Sequence, residues 1–145
     1  MKISTKGRYA IRMMLDLALY GGGNYVPLND IANRQGISKK YLEQIVPILN
    51  AAGFLKTNRG YRGGYMLGKE PERVTVGDIL RCTEGGLAPV ACAEKSPPEC
   101  ERAGDCITLP LWKGLYKVVE DYLDSLTLRD LIDAYVQRGA DDYVI

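Results

Sequence analysis

Between Leu28 and Tyr65 the chain passes from one short helical pattern to a second and then to a glycine-rich turn, and few folds accommodate that order. In LNDIANRQGIS, Leu28, Ile31 and Ala32 recur at helical spacing, and the pattern stops at Gly36, the residue type that most easily takes the left-handed conformation ending a helix. Ile37 then packs inward while Ser38 caps the next helix. That helix, Lys39 to about Ala52, places Leu42, Ile45, Val46 and Leu49 on one apolar stripe. Lys40, Glu43, Gln44 and Pro47 fall on the opposite side, flanked by Lys39 and Tyr41. Gly53 ends the helix, Phe54–Thr57 reads as a strand, Arg59-Gly60-Tyr61-Arg62-Gly63-Gly64 as a turn, and Tyr65–Leu67 as the return strand. The fold class predicted is mainly α: a winged helix-turn-helix with a small β-hairpin wing and a long C-terminal dimerisation helix.

The residue types on the polar side suit double-stranded DNA. Gln44 has the donor and acceptor pair that meets adenine bidentately, and Glu43 accepts from cytosine N4. Arg59 and Arg62 on a glycine-rich tip suit phosphate contact or a narrow minor groove. The alternatives are a solvated amphipathic helix and a solvated hairpin with incidental charge.

Charge is divided along the chain. Residues Met1 to Glu70 hold eleven Lys and Arg against four Asp and Glu, a net of +7, whereas residues Pro71 to Ile145 hold eight against fourteen, a net of −6. The basic half is the half with the helical pair and hairpin, as a DNA footprint requires. No run approaches the roughly 20 apolar residues of a membrane span, and MKISTKGRY is followed by no apolar signal core, so a cytoplasmic protein without membrane contact is expected. The sequence has four cysteines and no histidine. In a cytosolic setting clustered cysteines point to metal or redox chemistry more than to a disulfide scaffold.

In chain order, Lys2–Thr5 reads as short and extended, with Ser4 or Thr5 capping a helix from about Lys6 to Tyr20 whose stripe is Ala10, Met13, Met14, Leu17 and Ala18. Lys6, Arg8, Tyr9 and Arg12 crowd its first turns, where positive charge opposes the helix dipole at a cost of a few tenths of a kcal/mol. Phosphate contact explains that crowding, and so does simple solvation. Gly21–Asn24 is a flexible loop. Pro47 lacks an amide donor and predicts a bend in its helix. Thr75 and Asp78 approximate a capping box for a short helix carrying Cys82, expected as a small buried core residue.

From Gly85 to Asp105 there is punctuation without periodicity, and Cys92, Cys100 and Cys106 stand in a C-x7-C-x5-C array. Three thiols in one loop suit a soft metal or an iron–sulfur centre, although the paired spacing of closed zinc sites is absent. Redox-active thiols and inert cysteines are the other readings. Pro110 opens the longest helix, where Trp112, Leu115, Tyr116, Val119, Tyr122, Leu123 and Leu126 repeat at three- and four-residue steps; contact with a second copy is the preferred reading of what covers them, and burial within one chain the alternative. Thr127 caps a last short helix with Leu128, Leu131 and Ile132 inward, before the tail DDYVI.

STKGRYAIRMMLDLAL, ISKKYLEQI, RGYRGGYMLGK, VGDIL and ITLPLWKGL, with the spaced cysteines between them, resemble the family of the iron–sulfur cluster regulator IscR, the nitric-oxide-sensing NsrR and the cysteine-metabolism repressor CymR. The resemblance covers nearly the whole chain. It implies a homodimeric bacterial transcription regulator and, in many members, a cluster held by three cysteines, here Cys92, Cys100 and Cys106. The family's base-reading residues match Glu43, Gln44 and Arg59, while its recognition-helix serine is replaced by Lys40. The histidine that completes the IscR site corresponds to Leu109, and the aspartate that NsrR takes from its partner corresponds to Arg8. Glu101, Asp105 or an external thiol is left as fourth ligand. CymR-type members keep the fold without the array and respond to a partner enzyme, and DYLDSLTLRDL and the tail look closer to that branch.

The resulting expectation is a winged helix-turn-helix domain at 1–84, a cluster-binding loop at 85–108 and a dimerisation helix with tail at 109–145. Lys6, Arg8, Tyr9, Ser38, Lys39, Lys40, Tyr41, Glu43, Gln44, Arg59 and Arg62 face a DNA operator. Cys92, Cys100 and Cys106 hold an iron–sulfur cluster, [2Fe-2S] preferred over [4Fe-4S]. The alternative is a cluster-free regulator of sulfur metabolism controlled by thiol oxidation or a metabolic-enzyme partner. Enzymatic activity is not expected, since no catalytic base, cofactor-binding glycine motif or C-x-x-C is present.

Overall fold

The computed structural model describes residues 1–142; of the tail, Tyr143, Val144 and Ile145 lie outside the described residues. The chain forms α1 (Thr5–Tyr20), α2 (Leu28–Gln35), α3 (Lys39–Ala51), β1 (Leu55–Asn58), β2 (Gly64–Leu67), α4 (Val76–Glu84), α5 (Leu109–Ser125) and α6 (Leu128–Asp142), with short 3-10 turns at Pro71–Arg73 and Ala91–Ala93.

Ser4 caps α1 by accepting from the Gly7 amide at 3.2 Å, so Thr5, expected in an extended segment, is already helical. Ala10, Met13, Met14 and Leu17 are buried as their spacing predicts, and Ala18 is half-buried. At Gly36 the chain takes φ 63°, ψ 35°, and Ile37 turns into the core beneath it. The Ser38 hydroxyl accepts from the Tyr41 amide at 3.1 Å to start α3, whose Leu42, Ile45, Val46 and Leu49 are all buried. Pro47 does not end that helix, which continues to Ala51.

β1 and β2 pair antiparallel from Leu55–Leu67 to Asn58–Gly64. Val26 adds an isolated bridge to β2 through two backbone bonds with Tyr65, of 2.8 and 2.9 Å. A Cβ at Gly64 would stand 2.3 Å from the Val26 carbonyl oxygen, so this close approach needs glycine.

The Thr75–Asp78 capping box is formed in full at the start of α4. Cys82 is half-buried against the main core instead of enclosed, its thiol donating to the Ile79 carbonyl. Arg81 reaches from α4 to α5, where it donates to both Asp124 oxygens at 2.8 and 2.7 Å. This fork–fork arrangement fixes direction as well as distance.

Among the described residues α5 is the longest helix, yet Leu109 is its one buried residue. Its apolar residues divide into two stripes. Trp112, Tyr116, Val119, Leu123 and Leu126 are half-buried, and Tyr116, Leu123 and Leu126 pack with Val76, Leu80 and Leu87 in a small second core. Leu111, Leu115, Val118 and Tyr122, at 4-3-4 spacing, are 41–66% exposed. The single stripe read from sequence merged these two faces, omitting Leu111 and Val118.

α6 is not short: it runs 15 residues. Thr127 and Asp130 cap it reciprocally, and Leu128 and Ile132 are buried with Leu131 half-buried. Leu128 belongs to the main core with α1 and α3, and the bonds Leu128 N to Val74 O (2.9 Å) and Val76 N to Leu126 O (2.8 Å) clasp the α5–α6 corner against the start of α4.

Candidate nucleic-acid interface and cysteine loop

Ser38, Lys39, Lys40, Glu43 and Gln44 are exposed along α3, while Tyr41 is half-buried. Glu43, Pro47 and Asn50 follow at i, i+4 and i+7, so one polar edge runs the length of the helix. At its far end the Thr57 hydroxyl donates to Asn50 Oδ1 at 3.1 Å, fastening β1 to that edge. The hairpin is thereby held at the end of the face that carries Glu43.

At the hairpin tip Arg59 and Arg62 are exposed, and Arg62 takes φ 64°. Tyr61, between Gly60 and Arg62, is 95% exposed, with the Arg62 guanidinium 5.9 Å from its ring centroid. The sequence reading did not place Tyr61 in the site. The available signal was an aromatic residue in a turn with no apolar neighbour to cover it.

The first turns of α1 meet α3 through aromatic contact. Tyr9 and Tyr41 rings stand edge to face at 5.3 Å, and the Arg12 guanidinium lies 5.3 Å over Tyr9. Arg12 also donates to the Gln35 side-chain oxygen at 3.2 Å and to the Gln35 carbonyl, which gives its charge a structural partner at the end of α2. Lys6 and Tyr9 are half-buried and Arg8 is exposed, with its guanidinium donating to Thr5 Oγ1 at 3.0 Å. Behind this surface, fully buried Asp16 on α1 accepts from Arg34 and, at 2.8 Å, from Gln35 Nε2. This joint, which sequence spacing does not reveal, locks α1 to the last turn of α2.

The cysteines lie where α4 hands over to α5. All four are free thiols. Cys92 and Cys106 are half-buried and Cys100 is exposed. Cys92 and Cys100 line one depression, and Cys100 and Cys106 line the next, so Cys100 is common to both. Among the described residues no group of three or more His, Cys, Asp or Glu is placed to hold a metal ion. The Thr108 hydroxyl, 3.4 Å from Cys106 Sγ, holds that thiol below its ordinary pKa, whereas burial pushes the Cys82 thiol up. Hydrogen bonding to the thiolate and desolvation act in opposite directions at the two sites. Leu109, at the position of the IscR histidine, is buried and has no ligating atom.

Among the described residues, no helix is long and apolar enough to cross a membrane. A family model described as Rrf2, an iron-dependent transcriptional regulator, matches residues 3–134. Protein rrf2 of Nitratidesulfovibrio vulgaris is 41% identical over 132 residues, covering 91% of this chain and 87% of that protein. The transcriptional regulator CymR of Bacillus subtilis is 43% identical over 131 residues, covering 90% and 89%. The solved structure of T. potens IscR superposes with a TM-score of 0.73 at 39% identity, covering 93% of this chain and 88% of that one. On this extent of match, with the helix-turn-helix and hairpin in the order described, the chain belongs to the Rrf2 family of transcriptional regulators.

Proposed function

We propose that the protein is a homodimeric regulator that places α3 in the major groove and the hairpin beside it, with DNA affinity set by an iron–sulfur cluster on Cys92, Cys100 and Cys106. The observation that carries the DNA reading is the fastening of β1 to the polar edge of α3 through Thr57 and Asn50. In this reading Glu43, Gln44 and Arg59 read base edges. Lys6, Arg8, Tyr9, Ser38, Lys39, Lys40, Tyr41 and Arg62 position the protein on the backbone. The exposed α5 stripe of Leu111, Leu115, Val118 and Tyr122 meets its counterpart on a second copy, and paired recognition helices then address half-sites about 34 Å apart.

The donor set fits a cluster: three free thiols share one loop whose regular structure is a single 3-10 turn, and Cys106 is already biased toward thiolate. The loop must contract to bring Cys92 and Cys106 together about Cys100. A bound cluster, [2Fe-2S] preferred, supplies a redox-responsive charge there. Glu101 and Asp105, both exposed, are the carboxylates within the loop that suit the fourth position. Two measurements test the proposal. Arg59→Ala and Gln44→Ala should each weaken specific DNA binding by about 1–3 kcal/mol, and wild-type affinity in both would remove the groove assignment. Anaerobic reconstitution with iron and sulfide should give a coloured protein, with the colour lost in Cys92→Ser, Cys100→Ser and Cys106→Ser.

A second reading has its own support. The three thiols do not converge, and the lowered Cys106 thiol suits direct oxidation or docking of a metabolic enzyme as the controlling event. A colourless, iron-free product after reconstitution, together with DNA affinity that changes on peroxide treatment or on addition of a captured enzyme, would select it.

A further inference from the structure

Behind the hairpin, where the end of α1, the base of β1 and β2 and the first turn of α6 meet, lies a depression of about 390 Å³. That is within the usual range of roughly 300–1,000 Å³ for small-molecule sites. Leu17, Met66 and Leu67 give it an apolar floor, and three cations line it from different elements: Lys56 on β1, Lys69 just after β2, and Arg129 on α6. Among the described residues Lys56 and Lys69 have no carboxylate partner. Lys69 instead rests its ammonium 4.9 Å over the Phe54 ring. Arg129 is braced by Glu72 at 2.7 Å. The one carboxylate in the lining, Glu70, lies 4.0 Å from Arg73.

The α1–α2 loop closes one side. Gly22 and Gly23 take φ 57° and 77°, a region that disfavours any other side chain. Their two amides donate to no acceptor among the described residues. Unpaired amides on a concave glycine loop are the backbone feature of anion-binding nests. Opposing them is the C-terminus of α1, which contributes about half a unit of negative charge. Arg129 is already paired with Glu72 and Asp133, so the excess positive charge comes from Lys56 and Lys69, which outweigh that partial charge and Glu70 together.

We propose that this depression binds a small metabolite with a phosphate or carboxylate head on an apolar body. The head meets Lys56, Lys69 and the Gly22–Gly23 amides, and the body lies on Leu17 and Met66. Because these groups come from the hairpin base and from the α1–α2 loop, an occupant ties the two together.

The proposal does not rest on the operator or on the cysteines, so it is tested on the iron-free, DNA-free protein. Inorganic phosphate is the probe for the head group, followed by amide-resolved NMR with potassium chloride at matched ionic strength as control. Saturable shifts confined to Gly22, Gly23, Lys56 and Lys69 are expected. The apparent Kd should rise at least tenfold in Lys56→Gln/Lys69→Gln, with the remaining spectrum native; Lys56→Gln alone should fall between. Absence of local shifts, equal shifts with chloride, or a double variant that titrates like wild type overturns the proposal. So do shifts at these amides with a non-specific duplex but not with phosphate, which would make the lysines DNA-backbone contacts.

Discussion

Replacing Arg34 with alanine isolates a carboxylate that the fold has removed entirely from water. Asp16 is 0% exposed, and its oxygens accept from Arg34 Nη2 at 2.7 Å and from Arg34 Nε at 3.0 and 3.3 Å. Gln35 Nε2 would be the donor left in Arg34→Ala, at 2.8 Å. Breaking a buried pair from one side costs about 3–5 kcal/mol, because the remaining charge stays desolvated. The Arg34 side chain is 34% exposed, so solvent already screens part of the interaction and the lower end, about 3 kcal/mol, is expected. For a chain of this size that is a fall of roughly 6–12 °C in Tm. In urea it is about 1.5 M in the midpoint for a slope near 2 kcal/mol/M. Denaturation is followed at one protein concentration, since dimerisation would otherwise enter the comparison. Asp16→Asn/Arg34→Ala should recover part of the loss, a coupling of about 1–3 kcal/mol in the double-mutant cycle. A loss below about 0.5 kcal/mol, the level of an ordinary surface change, or strict additivity would refute the reasoning.

Gly64→Ala places a Cβ 2.3 Å from the Val26 carbonyl and should weaken DNA binding without altering charge; an unchanged affinity and salt slope would show the hairpin accommodates it. Val118→Asp puts a carboxylate in the exposed α5 stripe, and sedimentation should report monomers. Asp124 is held below the ordinary carboxylate range by its hydrogen bond from Arg81, Glu72 first by its own backbone amide and then by Arg129, and Asp130 by the Thr127 amide. Their contributions are therefore complete above the unfolded values near pH 4 and are lost as pH falls through the lowered folded values. Hydrogen exchange should show α5 and α6 loosening below about pH 4 before α1–α3. In metal-free protein near neutral pH, iodoacetamide should label Cys106 well before Cys82, as peptide mass spectrometry would show; equal rates would contradict the opposed environments.

The helix-turn-helix was legible because each signal is local. Gly36 ends α2 in the conformation its lack of a side chain permits, Ser38 caps α3, and the aliphatic ridge from Leu42 to Leu49 leaves one inward face. The Thr75–Asp78 box was legible for the same reason. Features that depend on distant residues were not. Asp16 sits beside the core positions of α1 as one more polar residue until Arg34, on another helix, is brought against it. The Val26–Tyr65 bridge is a single residue pair and leaves no alternation to read. On α5 a four-residue step and a three-residue step served both faces, so residues covered by α4 and residues left bare were read as one set. α6 outran its expected length because beyond Ile132 it is largely exposed, and an exposed helix has no apolar rhythm. For the cysteines, spacing showed that a loop joins them but not that Cys92 and Cys106 open onto different depressions.

The clasp at Val74–Val76 and Leu126–Leu128 makes α5 a pivoted rod. Its C-terminal end is pinned by two backbone bonds and, two residues before Leu126, by the Arg81 fork, while its other end is hitched to the cysteine segment. A helix of 17 residues is about 25 Å long, so each ångström of sideways pull at Leu109 swings it by roughly 2°. Drawing in the slack between Cys92 and Cys106 by a few ångströms would therefore tilt the bare stripe through several degrees while leaving the α4 corner in place. In the dimer proposed above, two such rods laid against each other would convert a local tightening near one end into a change in the span between the two DNA-facing heads.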